Sequence, residues 1–500
     1  MTKGSLGKHV VHSSAWLYGR HLVTNVFNVF VTALLARKLT PGDFGLIALA
    51  SVILRFLTTL GPIGVGEYII YDRAVGREER VHAAFWLNVA LTLAAVGLCS
   101  ALVPLVSQFY EMPDLRLILY LLIAQFAVGQ LAGVPDALLR RALDFKKLAL
   151  RETILEIASG AGMMAMAMAG FGVWSLIVPA MVLTPIRVIV AFQLADWMPR
   201  LPLRKSLWPG IFRYSFHTTG AGLVNLLASE GDVFIIGKRL GIADLGFYYQ
   251  AMATASLVNR NVSGVVAKVA MPALAAVSND MARLRMGLNR MLRVLALTSF
   301  PLVIGLLVIA DLFVLVLFGP KWETAITPLR LLLIFALFRT VSSPSTVIFN
   351  VVGRPDIMFK MGLAFLPFYF LSVWGGSFYG MVGVAVGVTL ARTIYSLFQL
   401  KMIARLVGQT LRTTLAEMSQ ALMGAMTMGG VVLGCRLLLS GLEIPRLVLL
   451  LALVLIGGLV WFAMLLRLFR QSLEELLLVC DAFSSRLGSK VRSTIKPMMA

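Results

Sequence analysis

The sequence predicts an all-α polytopic membrane protein of about fourteen transmembrane helices: two parallel six-helix repeats followed by a C-terminal helix pair. Three observations predict it. The chain is strongly apolar, its apolar windows have bilayer length with basic loops on alternate sides, and a motif from the first window boundary returns near the middle.

The apolar excess sets the class. Of 500 residues, 59% are hydrophobic and only 14% charged, with a mean hydropathy of +0.87. Soluble domains run near half apolar and a quarter charged. The formal net charge of +21 would suggest nucleic acid in a soluble chain. Here the basic residues lie mainly between apolar windows, where they act as topology signals, and no nucleic-acid partner is expected. Cys99, Cys435 and Cys480 have no paired spacing, so neither a disulfide framework nor a metal site is indicated. Lys3 and Lys8 precede an apolar run too long for a signal peptide, which predicts an uncleaved first span.

Apolar windows fall near 14–36, 44–70, 81–106, 115–139, 150–169, 172–195, 211–237, 245–276, 294–318, 325–351, 357–378, 380–400, 415–435 and 445–466. His217, Asn225, Ser229, Glu230 and Asp232 interrupt the seventh. Alternate loops are basic, among them Arg140, Arg141, Lys146, Lys147 and Arg151, and later Arg283, Arg285, Arg290 and Arg293. Basic residues on that side outnumber those on the other about threefold, which predicts cytoplasmic termini and an even number of spans.

The segment Ala36 to Gly45 returns as Gly237 to Gly246, with Leu39, Asp43 and Gly45 matched by Leu240, Asp244 and Gly246. Leu115-Arg116 matches Leu329-Arg330. Arg140 and Phe145-Lys146 match Arg354 and Phe359-Lys360 at that same second offset. The halves therefore begin at spans 1 and 7. The expected division is an N-terminal six-helix lobe over 1–205, a second lobe over 206–405, helices 13 and 14 over 406–470, and a basic cytoplasmic tail over 471–500. Parallel repeats of this kind in transporters are related by an axis along the membrane normal, and alternating access moves one against the other.

Charges inside spans cost roughly 2.5–3.5 kcal/mol on insertion scales, so each is a functional candidate. Arg20, Arg55, Arg187, Arg260, Lys268, Arg339 and Arg392 are the basic ones; Glu67, Glu230, Asp232 and Asp311 are the main acids. His21, Asn25, Asn28 and Thr32 form a polar stripe on span 1, and Thr218, Asn225, Ser229 and Asp232 form one on span 7. These stripes are expected either to line a hydrated cavity or to hydrogen-bond packed helices. Arg20, Arg55 and Arg260 sit on spans 1, 2 and 8, beside the expected interface of the halves. Snorkelling to headgroups is the alternative, strongest for Arg20. A cationic pocket suits an anionic substrate, because arginine binds phosphate in bidentate fashion. A lipid with a diphosphate headgroup satisfies both charge and shape. No nucleophile–base pair, phosphate-binding glycine loop or metal-ligand cluster appears, so neither an enzyme nor a cofactor is expected.

The chain from about residue 10 to 405 resembles the polysaccharide transporter family of the multidrug/oligosaccharidyl-lipid/polysaccharide flippase superfamily, in particular oligosaccharide flippases of the colanic-acid-exporter type. The resemblance rests on Leu39-Thr-Pro-Gly-Asp-Phe-Gly45, Pro135-Asp-Ala-Leu-Leu-Arg-Arg-Ala-Leu-Asp-Phe-Lys146 and Gly170-Phe-Gly-Val-Trp-Ser-Leu176. It extends through Asp232-Val-Phe-Ile-Ile-Gly-Lys-Arg-Leu-Gly241, Leu245-Gly-Phe-Tyr-Tyr-Gln-Ala251 and Leu317-Phe-Gly-Pro-Lys-Trp322. It implies movement of a polyprenyl-diphosphate-linked oligosaccharide across the bacterial inner membrane for exopolysaccharide, capsule or O-antigen synthesis. Membrane lipid, a polysaccharide polymerase and export proteins are the implied partners. In the related lipid II flippase, arginines on spans 1, 2 and 8 line the cavity, and Arg20, Arg55 and Arg260 occupy the matching helices here.

The expected substrate-binding set is Arg20, Arg55, Arg260 and Lys268, with His21 and Asn25. Asp232 and Glu230 are candidates for proton or sodium coupling; Glu230 is a departure from the pattern the resemblance leads one to expect. The inside-negative potential also drives an anion outward, by roughly 2.3 kcal/mol per charge per 100 mV. A cation-coupled multidrug exporter of the same superfamily is the alternative, which the basic excess disfavours. A non-transporting scaffold for polysaccharide assembly is a third, and it would have no need of buried arginines.

Overall fold

A computed structural model of the chain describes residues 24–60, 65–66, 69, 77–142, 144–201 and 208–467; for 60, 77, 209–223, 225, 260, 261, 265, 268, 269 and 272 it describes the backbone alone. It divides into two compact units, Met1–Gly246 and Phe247–Ala500. Every apolar window of the sequence contains helix among the described residues. Ten of these helices are long and apolar enough to cross a membrane. The windows outside that set are the first, fifth, seventh and eighth, and these are the helices that carry most of the polar and charged residues under discussion.

In the first unit, residues 24–38 are helical (α1). Then come α2 (Pro41–Leu60), α3 (Arg77–Tyr110), α4 (Pro113–Gly129), a 3-10 turn (Gln130–Ala132), α5 (Gly133–Arg141), α6 (Phe145–Met168), α7 (Trp174–Ala195) and α8 (Trp208–Arg239). Short polar motifs fix where these helices start. The Asp43 carboxylate accepts from the Thr40 backbone N–H at 2.8 Å, and Thr40 Oγ1 accepts from the Asp43 N–H at 3.2 Å. This reciprocal cap, with Pro41 in the first helical turn, explains the Thr-Pro-Gly-Asp segment as a helix start. Asp144 caps α6 by accepting from the Lys147 N–H. The turn between α6 and α7 needs left-handed backbone at Gly170 (φ 84°) and Gly172 (φ 53°), which glycine adopts without a Cβ penalty.

The next helix, α9 (Ile242–Ala275), starts at the second copy of the repeated motif, and its first turn belongs to the first unit. Gly45 of α2 and Gly246 of α9, equivalent positions in the repeat, meet there reciprocally. A Cβ on Gly45 would land on the Ile242 carbonyl oxygen, and one on Gly246 on the Pro41 carbonyl oxygen. Pro41 and Ile242 are themselves repeat equivalents, so the contact has local two-fold character. Gly45→Ala and Gly246→Ala are each expected to cost about 1–3 kcal/mol by overpacking. Thermal unfolding of the purified protein should show a lower midpoint for both. Gly97→Ala, with nothing within 4 Å of its added Cβ, should leave the midpoint level or raised. Unchanged midpoints for Gly45→Ala and Gly246→Ala would contradict the contact.

The second unit contains the rest of α9, then α10 (Met281–Val308), α11 (Ala310–Leu317), a 3-10 segment (Pro320–Ala325), α12 (Ile326–Ser342), α13 (Pro344–Val351), α14 (Pro355–Ser377), α15 (Gly380–Leu406), α16 (Leu411–Leu439) and α17 (Arg446–Arg467). Leu284, Leu288, Leu292 and Leu295 recur at helical spacing along α10 and are fully buried, in a cluster with Ile348, Phe349, Leu400 and Ile403. By contrast, Leu371 and Trp374 of α14 are exposed; on a spanning helix such side chains face lipid, which is as apolar as they are. Helix α16 is tied on by charge. Glu417 of α16 accepts from Asn289 at 2.9 Å and pairs with Arg293 at 3.2 Å, both on α10. Asp311 of α11 accepts from Arg436 Nη1 of α16 at 2.9 Å and from Arg330 of α12 at 3.1 Å. Asp311, expected as an intramembrane acid, is thus a staple between helices.

Candidate functional site

The structure distributes the expected site residues unevenly. Arg20 and His21 lie outside the described residues, and Arg260 and Lys268 lie on α9 with their side chains outside them. Asn25 is on α1, Arg55 on α2, and Glu230 and Asp232 on α8.

Three contacts set α2 antiparallel to α8. Leu49 lies against the Cα of Gly237, where a Cβ would meet its Cδ1 at 3.7 Å. Phe56 meets Phe234 edge to face, ring centroids 5.8 Å apart. At the far end of this ladder, Arg55 Nη2 donates to Glu230 Oε2 at 2.9 Å. The small residue at 237 allows the close approach, and the approach brings the two charges together. The Arg55 side chain is 39% exposed and that of Glu230 20%, so the pair is open on one side rather than sealed. Arg55 Nε is buried without a hydrogen-bond partner. The guanidinium is therefore held by one hydrogen bond, with donors left over. Asp232, two residues further on, is 2% exposed, and its carboxylate accepts from the Val233 N–H at 3.2 Å.

At the other end of α8 lies an anchor outside the spans. Lys238 Nζ donates to Glu111 Oε1 at 2.9 Å and to the Phe109 carbonyl. That hydrogen bond and the ammonium charge hold the exposed Glu111 carboxyl below its ordinary range.

A second charge network in the first unit was not anticipated from the sequence. Arg151 of α6, whose side chain is 2% exposed, pairs with Asp136 of α5 at 2.8 Å and with Glu152 at 2.6 Å. Arg187 of α7 pairs with the same two acids, at 3.5 Å to Asp136 and 3.2 Å to Glu152. One helical turn on, Glu156 accepts from Asn28 of α1 at 2.7 Å. The loop assignment of Arg151 is thereby corrected. Because Asp144 starts α6 early, Arg151 sits well inside the helix and its charge is matched by the buried Asp136 and the half-buried Glu152. Arg187, which nothing in the sequence tied to other groups, belongs to this network. The Asn28 contact shows at least one member of the span-1 stripe bonding a packed helix. In the second unit, Arg392 is 7% exposed. It donates to the Tyr369 hydroxyl at 2.7 Å and lies over the rings of Tyr369 and Phe335, 5.0 and 5.4 Å from their centroids.

Among the described residues, no group of three or more His, Cys, Asp or Glu is placed to hold a metal ion. The chemistry available at the α2–α8 pair is recognition: a fixed cation inside an apolar helix, partly exposed and singly bonded.

Comparison with known proteins bears on this arrangement. Residues 34–327 match the family described as "Polysaccharide biosynthesis protein". The chain is 26% identical over 419 residues to the lipopolysaccharide biosynthesis protein WzxC of Escherichia coli (strain K12), covering 82% of this chain and 84% of that one. It is 28% identical over 336 residues to the succinoglycan biosynthesis transport protein ExoT of Rhizobium meliloti (strain 1021), covering 67% and 68%. The fold is similar to that of the lipid II flippase MurJ in an inward closed conformation, with a TM-score of 0.73, 14% identity, and coverage of 90% of this chain and 98% of that one. It is also similar to a multidrug resistance MATE family transporter in an inward-facing conformation, with a TM-score of 0.60, 13% identity, and coverage of 79% and 98%.

Proposed function

From the premise that this multi-pass membrane chain belongs to the polysaccharide biosynthesis protein family, we propose that it is a flippase for lipid-linked oligosaccharide units. The substrate is a polyprenyl-diphosphate-linked oligosaccharide, moved by alternating access from the cytoplasmic to the outer leaflet of a bacterial inner membrane, with both termini cytoplasmic. The unit then passes to polymerisation and export machinery. The observation that carries this reading is Arg55: a cation within an apolar helix, partly exposed, with guanidinium donors to spare. A diphosphate offers several acceptor oxygens in the geometry that a guanidinium fork matches. Arg20, Arg260, Lys268, His21 and Asn25 are proposed as further headgroup contacts on the sequence alone. Asp232, buried on α8, is proposed to couple transport to an ion.

The pairing of the acids favours this reading over a drug exporter. Asp136, Glu152 and Glu230 are each ion-paired to arginine, so none of them offers a bare carboxylate to a cationic drug. The test is genetic. Deleting the gene should abolish the polysaccharide that depends on it and accumulate the lipid-linked unit inside; an Asp232→Asn variant that left both transport and its pH dependence intact would rule out the coupling role. Normal polymer in the deletion, with no second flippase present, would overturn the reading.

A further inference from the structure

The sequence offers Glu230 only as a candidate for ion coupling, and the structure places it on the one guanidinium hydrogen bond of Arg55. We propose that Glu230 is a resident counter-ion that the diphosphate headgroup must displace from Arg55 to bind, and that re-forms its pair when the headgroup leaves. The proposal rests on the reading of the substrate given above and names the residue that regulates its site.

Three features of the pair support exchange over a fixed structural bridge. The bond is single, Nη2 to Oε2 at 2.9 Å, short of the two parallel bonds that an arginine–carboxylate pair can make. The pair is open to an incoming group, with Arg55 39% and Glu230 20% exposed. Arg151, 2% exposed and ion-paired with two acids, is by contrast closed to an incoming group in this same unit. Finally, the buried Nε of Arg55 has no acceptor, and although the same holds for Arg151, only the Arg55 guanidinium is open enough for an incoming group to reach it. A phosphate group can satisfy Nε and Nη2 together; the Glu230 carboxylate, bonded through one oxygen to Nη2, leaves Nε bare.

The physical consequence is a lowered apparent affinity. An unpaired guanidinium in an apolar helix would be costly, and it would also hold an anionic headgroup too tightly to release. A counter-ion that keeps Arg55 occupied for about nine-tenths of the time weakens apparent binding by about tenfold. It also supplies the group that replaces phosphate at release.

The experiment measures binding of polyprenyl diphosphate to the purified full-length protein, with polyprenol of the same chain length as the uncharged control. Glu230→Gln is expected to bind the diphosphate about tenfold more tightly than wild type, with Glu230→Asp between the two. The gain should vanish when Arg55→Ala is also present. Loss of a merely structural salt bridge would weaken binding, so a tighter variant separates the two roles. Equal or weaker binding by Glu230→Gln would overturn the proposal. So would a gain that persists beside Arg55→Ala, because Glu230 would then repel the headgroup without acting through Arg55. Failure of wild type to bind the diphosphate above polyprenol would instead sink the substrate reading, and the exchange with it. If Glu230→Gln does not fold, Glu230→Asp alone decides, since the same sign of change is expected.

Discussion

Arg55→Ala is expected to lower export of the polymer by one to two orders of magnitude at unchanged abundance in the membrane. The estimate follows from the bonds at stake. Hydrogen bonds to charged groups contribute about 1.5–3 kcal/mol each, and every 1.4 kcal/mol is about tenfold in affinity. One such contact to the diphosphate therefore accounts for roughly 10-fold to 100-fold. Folding should suffer less, because Arg55 and Glu230 are both partly exposed and solvent screens the charge left behind. Arg55→Lys should retain part of the activity. Lysine keeps the charge but presents it as a point, without the fork that meets two oxygens. The measurement is surface polymer per unit of protein in a deletion strain carrying each variant. Full export by Arg55→Ala would move the headgroup site elsewhere.

The second large effect concerns stability rather than transport. Arg151→Ala is expected to prevent accumulation of folded protein. The Arg151 guanidinium is almost wholly buried between Asp136 and Glu152. Removing it leaves Asp136 buried with only the 3.5 Å contact to Arg187. Breaking a buried pair by deleting one partner costs about 3–5 kcal/mol, a large share of the stability of an ordinary fold. Replacing both charges should be far milder: the double variant Arg151→Met with Asp136→Asn fills similar volume and leaves no orphan carboxylate. Membrane abundance and the thermal midpoint of the purified variants test this. A wild-type midpoint for Arg151→Ala would show that the network contributes little.

These two arginines also mark how far the sequence could be read. Apolar windows and loop charges locate helix in all fourteen positions, because bilayer length and the need to satisfy backbone hydrogen bonds leave little freedom. Breaks within windows were not legible. The window 294–318 splits at Ile309, and 325–351 splits between Ser342 and Pro344. Arg151 was hidden by the very rule that orients the loops. It stands at the end of a run of positive residues, and only the Asp144 cap places it inside a helix. A signal was present nonetheless: Glu152 beside it and Glu156 one turn later make an acidic face that a plain basic loop does not have. Arg55 was picked out because a charge in an apolar helix is conspicuous. Its partner Glu230 lies 175 residues away in sequence, and no local pattern joins the two. Their meeting depends on the α2–α8 packing, with Gly237 and Phe234 setting the approach.

The central claim is that this chain carries a lipid-linked oligosaccharide across a bilayer. The direct test places the purified protein in vesicles containing the polyprenyl-diphosphate-linked repeating unit, and follows with time the sugar exposed to a membrane-impermeant glycosidase. With protein present, the accessible fraction should climb past the share that begins in the outer leaflet and approach completion. Protein-containing vesicles that stay at that initial share, indistinguishable from vesicles without protein, would contradict the account.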